Sequence, residues 1–215
     1  MMYQRSIVAG ASEDRLSRLI AERLAPGADK ERIDRRIWDL FGEEWAIVFT
    51  DLSGFSRNVE AFGIIHFLQT IYESERLFVP IVDEFDGILL KIEGDSMMIL
   101  FRNPGKALKA VARMQSACAN YNLDKAEEER VLLCAGIGYG RVLRIGDSDV
   151  FGKEVNAASK LGEDTAKAGE ILVTEGVVQA VSGDTGFSFI ELDNTSRVVG
   201  RAYRFNYQQA TASTS

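Results

Sequence analysis

The chain is expected to fold as an α+β domain: a ferredoxin-like (palm-type) βαββαβ core with extra C-terminal strands and an N-terminal helical extension. Three observations predict it. Short apolar runs rich in β-formers alternate with longer stretches whose apolar residues recur at helical spacing, in the order β-α-β-β-α-β through the centre of the chain. Two of the strands, Ile88 to Ile92 and Met97 to Phe101, are separated only by Glu93-Gly94-Asp95-Ser96, a hairpin signal. The chain has 215 residues, 46% apolar and 27% charged, enough for one core and a short extension.

Residues 12 to 41 read as two helices. Leu16, Leu19, Ile20, Ala21 and Leu24 form the first stripe, Pro26-Gly27 breaks it, and Asp29 caps a second helix carrying Ile33, Ile37, Trp38, Leu40 and Phe41. The stripe is narrow, which fits either a helix pair lying on the domain or a segment for dimerisation or signal relay. Trp45 to Thr50 is a buried strand ending at the carboxylate of Asp51. Residues 58 to 85 are helical, with Ile64, Phe67, Leu68, Ile71, Leu77, Phe78, Ile81 and Val82 as core, and Pro80 is expected to kink or divide them. After the hairpin, Pro104 opens a helix running to about Asn122, followed by a charged loop from Lys125 to Arg130. A fourth strand is expected over 131–138 and a short fifth over 141–145. A helix over 152–166, a strand over 171–174, a helix over 175–182 and strands near 187–192 and 202–207 complete the chain. The expected division is an extension over 1–43, the main domain over 44–207 and a disordered tail over 208–215.

Composition excludes several classes. The net charge is −7 and the basic residues are scattered, so no nucleic-acid footprint is expected. Two cysteines, Cys118 and Cys134, and one histidine, His66, build neither a disulfide framework nor a zinc site; all three read as structural. With no signal-peptide pattern and no apolar run long enough to span a bilayer, the expectation is a soluble, cytoplasmic protein without membrane insertion. No phosphate-loop motif is present, and the glycine run at Gly136, Gly138 and Gly140 joins strands instead of opening a helix, unlike a dinucleotide fingerprint.

Two carboxylates draw attention. Asp51 ends the first strand and Asp95 sits in the hairpin before the third; in a βαββαβ sheet those strands are neighbours, so the two can meet at one end. Paired carboxylates offer the hard oxygens that Mg²⁺ takes while leaving room for phosphate oxygens.

Four segments sharpen this. Phe49-Thr50-Asp51-Leu52-Ser53-Gly54-Phe55-Ser56, Lys91-Ile92-Glu93-Gly94-Asp95-Ser96-Met97-Met98, Gly136 to Val142 with Gly146, and Asp149 to Leu161 occur in this order. Together they closely resemble the motifs of class III nucleotide cyclase catalytic domains, over about residues 44 to 207. The resemblance implies an adenylate cyclase that converts ATP to 3′,5′-cyclic AMP and pyrophosphate as a homodimer, with two Mg²⁺ or Mn²⁺ ions per site. It implies Asp51, Asp95 and the backbone carbonyl of Leu52 as metal ligands, Lys91 and Asp149 as the purine-reading pair, and Asn156 as the group that orients the ribose. A lysine donor and an aspartate acceptor match the ring nitrogen and exocyclic amine of adenine and oppose the pattern of guanine.

The chain departs from the family pattern twice. Lys160 stands where a transition-state arginine is usual; it shares a helix face with Asn156 but is a point charge and not a planar fork. Lower turnover is expected, and Arg141 or Arg144 is a candidate to supply the fork. Near the end, Val199-Gly200-Arg201 replaces the usual Lys-Gly pair, so Arg201, or else Arg197, is the candidate for the terminal phosphates. The competing readings are a silent module that binds nucleotide and dimerises, and an enzyme of altered purine specificity. Nothing in the sequence selects an upstream regulator.

Overall fold

Two helices lead directly into the sheet. The computed structural model describes residues 11–54, 62–193 and 195–210, except the side chains of Gln209 and Ala210. Helices α1 (Ala11–Leu24) and α2 (Lys30–Phe41) are divided where Pro26-Gly27 was expected to break them, and the Asp29 carboxylate accepts the Arg32 N–H at 3.0 Å as the cap of α2. Phe41 ends α2 and Gly42 begins β1 (Gly42–Leu52), with no loop between them. Leu19, Ile33, Ile37 and Phe41 are buried against Ile145, so the pair lies on the domain, while Leu24 and Leu40 are exposed.

The expected βαββαβ core is present. Its strands are β1, β2 (Ile88–Glu93), β3 (Ser96–Phe101) and β4 (Leu133–Ile145), with α3 (Ile64–Glu84) and α4 (Pro104–Tyr121) as the two helices. The strands run in the order β2-β3-β1-β4, all antiparallel, with Thr50 opposite both Met97 and Ala135. The sheet continues through β6 (Ile171–Thr174), parallel to β4, then β8 (Ala202–Phe205) and β7 (Phe189–Glu191). A short β5 (Asp149–Phe151) folds back on the end of β4.

Period-two alternation along β1 separates two faces. Ala46, Val48 and Leu52 join the main core under α3, α4 and α6 (Glu175–Ala180). Trp45, Ile47 and Phe49 face the other way, toward Val155 and Ala158 of α5 (Lys153–Ser159). Asp51 shares their parity, so the candidate site lies on this second face.

Several expectations change. The fourth and fifth strands are one: β4 pairs with β1 without a break from Leu52↔Leu133 to Gly42↔Leu143. Its glycines serve packing and not a turn, because a Cβ at Gly136 would run into the Ala158 carbonyl and one at Gly138 into the Glu154 carbonyl. α3 runs through Pro80 undivided; the buried Phe78, Ile81 and Val82 around it outweigh one lost hydrogen bond. Ile64 and Leu68, expected in the core, are each 53% exposed on its first turns. The segment 152–166 is α-helical only to Ser159 and continues as a π-helical turn, Lys160–Thr165. A last helical turn, α7 (Tyr207–Ala210), follows β8, and residues 211–215 of the expected tail lie outside the described residues.

Both cysteines are buried, with their thiols pushed up by desolvation, Cys118 to about 12 and Cys134 to about 11. His66 meets the Glu128 carbonyl at 2.6 Å, tying α3 to the loop before β4. Among the described residues, no helix is long and apolar enough to cross a membrane.

Candidate active site

The site begins at the end of β1. Thr50, buried inside the sheet, accepts the Met97 N–H on its side-chain oxygen at 3.2 Å and locks the β2–β3 hairpin to β1 one residue before Asp51. Gly94, at φ 63°, makes the hairpin turn that a side chain would strain, and Asp95 follows it. Ser96 then reaches Asp51, its hydroxyl 3.5 Å from Oδ1.

Asp51 is pushed up from the usual carboxylate range to about 6, first by burial, then by the Asp95 charge, with Glu163 adding to it. Among the described residues, no lysine or arginine forms an ion pair with Asp51 or Asp95. Clustered carboxylates without a counter-cation are costly, and a divalent cation relieves that cost. The oxygen-only donors therefore fit Mg²⁺ or Mn²⁺. The carbonyl-bearing Leu52 is buried and pairs with Leu133.

Lys91 on β2 and Asp149 on β5 meet, although they are far apart in sequence: Nζ lies 2.8 Å from Oδ2. The other carboxylate oxygen of Asp149 accepts the Val150 N–H at 2.8 Å, which fixes the plane of the group. Lys91 also lines a small cavity with Phe49, Glu93, Ser96, Met98 and Glu163.

α5 lies flat on β4 because glycine at 136 and 138 admits its backbone. This places Asn156 and Lys160 one turn apart, both exposed. Lys160 is held by Asp164, at 3.7 Å. Arg201 lies elsewhere, in a cleft of about 740 Å³ with Tyr139, Gly140 and Lys153, farther along β4 than Cys134, which pairs with Asp51. There it makes a fork to Glu191 at 2.8 and 3.0 Å and reaches Glu175 at 2.9 Å. Arg197 is exposed. Arg141 stacks over Trp38, and Arg144 stacks over Trp45 while pairing with Asp147, so neither guanidinium is free of partners.

Thr50, Ser96 and Glu163 are the residues that sequence reasoning missed. A lone threonine within an apolar run signalled the first. Nothing local signalled Glu163, which sits on the π-helical turn and adds its charge to Asp51.

Residues 42–209 match the family model of the adenylate and guanylate cyclase catalytic domain. The chain is 31% identical over 172 residues to an adenylate cyclase of Anabaena cylindrica, covering 72% of this chain and 34% of that protein. It is 28% identical over 162 residues to putative adenylate cyclase 3 of Rhizobium meliloti (strain 1021), covering 75% and 26%. The chain thus spans about a quarter to a third of the length of these curated relatives. An adenylate/guanylate cyclase/hydrolase from Silicibacter pomeroyi superposes with a TM-score of 0.67 at 25% identity, covering 76% of this chain and 96% of the other. The adenylyl cyclase CyaB of P. aeruginosa superposes with a TM-score of 0.61 at 20% identity, covering 76% and 94%, a likeness of fold. With a family match across most of its length, the chain belongs to the adenylate and guanylate cyclase catalytic domain family.

Proposed function

We propose that the chain is an adenylate cyclase, in which the ribose 3′-oxygen of ATP attacks the α-phosphate and pyrophosphate leaves, at sites shared across a homodimer. The unit over 44–207 would be catalytic and 1–43 its helical extension. The observation that carries the choice of adenine is the Lys91–Asp149 pair, a donor and an acceptor 2.8 Å apart. Lys91 would donate to an adenine ring nitrogen and Asp149 would accept from the exocyclic amine. Guanine would leave both unmatched, and unpaired buried polar groups make a strict filter.

Asp51, Asp95 and the Leu52 carbonyl would hold two Mg²⁺ or Mn²⁺ ions, which would supply charge neutralisation and make the 3′-hydroxyl more acidic. Asn156 would orient the ribose, and Lys160, leaving Asp164, would offset charge on the α-phosphate. Arg201 would serve the terminal phosphates only by giving up its fork to Glu191. Positioning and electrostatics supply most of the acceleration in such a reaction.

In the shared arrangement, Asp51 and Asp95 of one protomer face Lys91, Asp149, Asn156 and Lys160 of its partner, and a two-fold dimer makes two sites. Phe62, Ile64, Ile65, Leu68 and Tyr72, each at least 51% exposed, form an apolar row that supports burial against another chain. The test is to mix two inactive chains, Asp51→Asn and Asn156→Ala. Random exchange makes half the dimers mixed, each with one intact site, so about a quarter of wild-type activity should return. No recovery despite subunit exchange would refute the shared site.

The second reading is a silent module that binds nucleotide and dimerises. It is favoured by one feature: the cations offered to the phosphates, Lys160 and Arg201, are already paired with carboxylates.

A further inference from the structure

We propose that Ile145 is a positioning residue for purine selection, holding Asp149 in place because the helix pair α1–α2 clamps Ile145 itself. The proposal rests on the reading of Lys91 and Asp149 as the base-reading pair.

Asp149 sits on a short strand at the margin of the sheet. β5 has three residues, pairs among the described strands with β4 alone, and stands off the main path of the sheet. Its register sets Asp149 directly opposite Ile145. Cross-strand partners in an antiparallel pair have Cβ atoms about 5 Å apart, so a shift of one is felt by the other. The turn between them is fastened to the same residue: the Ser148 hydroxyl and N–H both donate to the Ile145 carbonyl, at 2.8 and 3.2 Å.

Ile145 in turn is anchored outside the catalytic core. It is 2% exposed, and its buried neighbours are Leu19, Ile33, Ile37 and Phe41, all from α1 and α2. Ser12, at the start of α1, lies over the turn at Gly146. Arg141, earlier on β4, stacks on Trp38 of α2 at 4.8 Å. The tongue that carries Asp149 is thus gripped along its length by the extension. Lys91 is held differently: it lies on β2, the edge strand beyond β3, where it pairs with Met98, away from the α1–α2 cluster.

The consequence is specific. Loosening the cluster lets Asp149 wander while Lys91 stays, so the site loses its acceptor for the adenine amine and its penalty against guanine. A residue that merely stabilised the fold would lower the folded fraction and reduce binding of both purines alike.

The test uses the full chain and 3′-deoxy-ATP and 3′-deoxy-GTP, which lack the attacking oxygen, each displacing a fluorescent ATP analogue in Mn²⁺. The readout is the ratio of the two dissociation constants, which does not depend on the folded fraction. Ile145→Ala and Ile37→Ala should each lower the preference for adenine by about fivefold or more. Ile145→Val should restore most of it. Val177→Ala, equally buried but in the main core, should leave it at the wild-type value. An unchanged ratio in both Ile37→Ala and Ile145→Ala, or in Ile37→Ala alone if the other fails to fold, overturns the proposal. A wild-type ratio that does not favour adenine overturns instead the adenylate reading, and the difference between variants still decides the role of Ile145.

Discussion

Replacing Asp51 by asparagine should make the metal-free protein more stable while abolishing its activity. The carboxyl's midpoint lies at about 6 in the folded chain against an ordinary 3.8, because burial and the Asp95 and Glu163 charges disfavour its ionised form. That shift corresponds to about 3 kcal/mol of folding stability lost when the group ionises. Asp51 is only partly buried, so solvent screening brings the expected gain down to about 1–3 kcal/mol. The folded midpoint lies above the unfolded one. The cost is therefore fully present above about pH 6, declines as the pH falls and is gone below about 3.8. Urea unfolding in a chelator should show Asp51→Asn more stable than wild type at pH 7.5, with the gap closing by about pH 4. The Asn amide oxygen keeps the acceptor that Ser96 uses, so the change is close to isosteric. Saturating Mn²⁺ should stabilise wild type and leave the variant unmoved. A variant less stable at pH 7.5, or a gap that does not change with pH, would refute the argument that uncompensated charge prepares this site for a cation.

Two further outcomes follow from the same geometry. Lys160→Arg should raise kcat about tenfold with little change in KM, since a planar fork acts on the charge that develops in the transition state; an unchanged or lower kcat would mean that Lys160 does not face the α-phosphate. Gly138→Ala should cost about 2–4 kcal/mol in denaturant unfolding, because its Cβ would run into the Glu154 carbonyl and lift α5 from β4; a loss under about 1 kcal/mol would show that the helix does not depend on that contact.

The core was legible because its signals are local. The β1, β2 and β3 runs, the Gly94-Asp95 turn, the cap at Asp29 and Pro104 at the start of α4 each announce themselves within a few residues. The resemblance named Lys91 and Asp149 as a pair, and the fold brings them together. What stayed hidden depends on contacts between distant segments. The glycines of β4 look like a turn unless one knows that a helix will lie on them. Ile64 and Leu68 obey helical periodicity, which marks an apolar face without saying what covers it. Glu163, on the π-helical turn, lines the Lys91 cavity and adds its charge to Asp51, a placement no local pattern announces. Arg201 carries the right charge, but its partners, Glu175 and Glu191, come from elements whose meeting no local pattern announces.

The central claim is that this chain makes cyclic AMP with a metal site at Asp51 and Asp95. Its most direct test is product formation by the purified chain from ATP in Mg²⁺ and then Mn²⁺, beside an Asp95→Ala control. Cyclic AMP that forms with wild type and falls at least about a hundredfold in the control is the expected result. ATP bound by a dimer with no product in either metal, or product that survives Asp95→Ala, would contradict it.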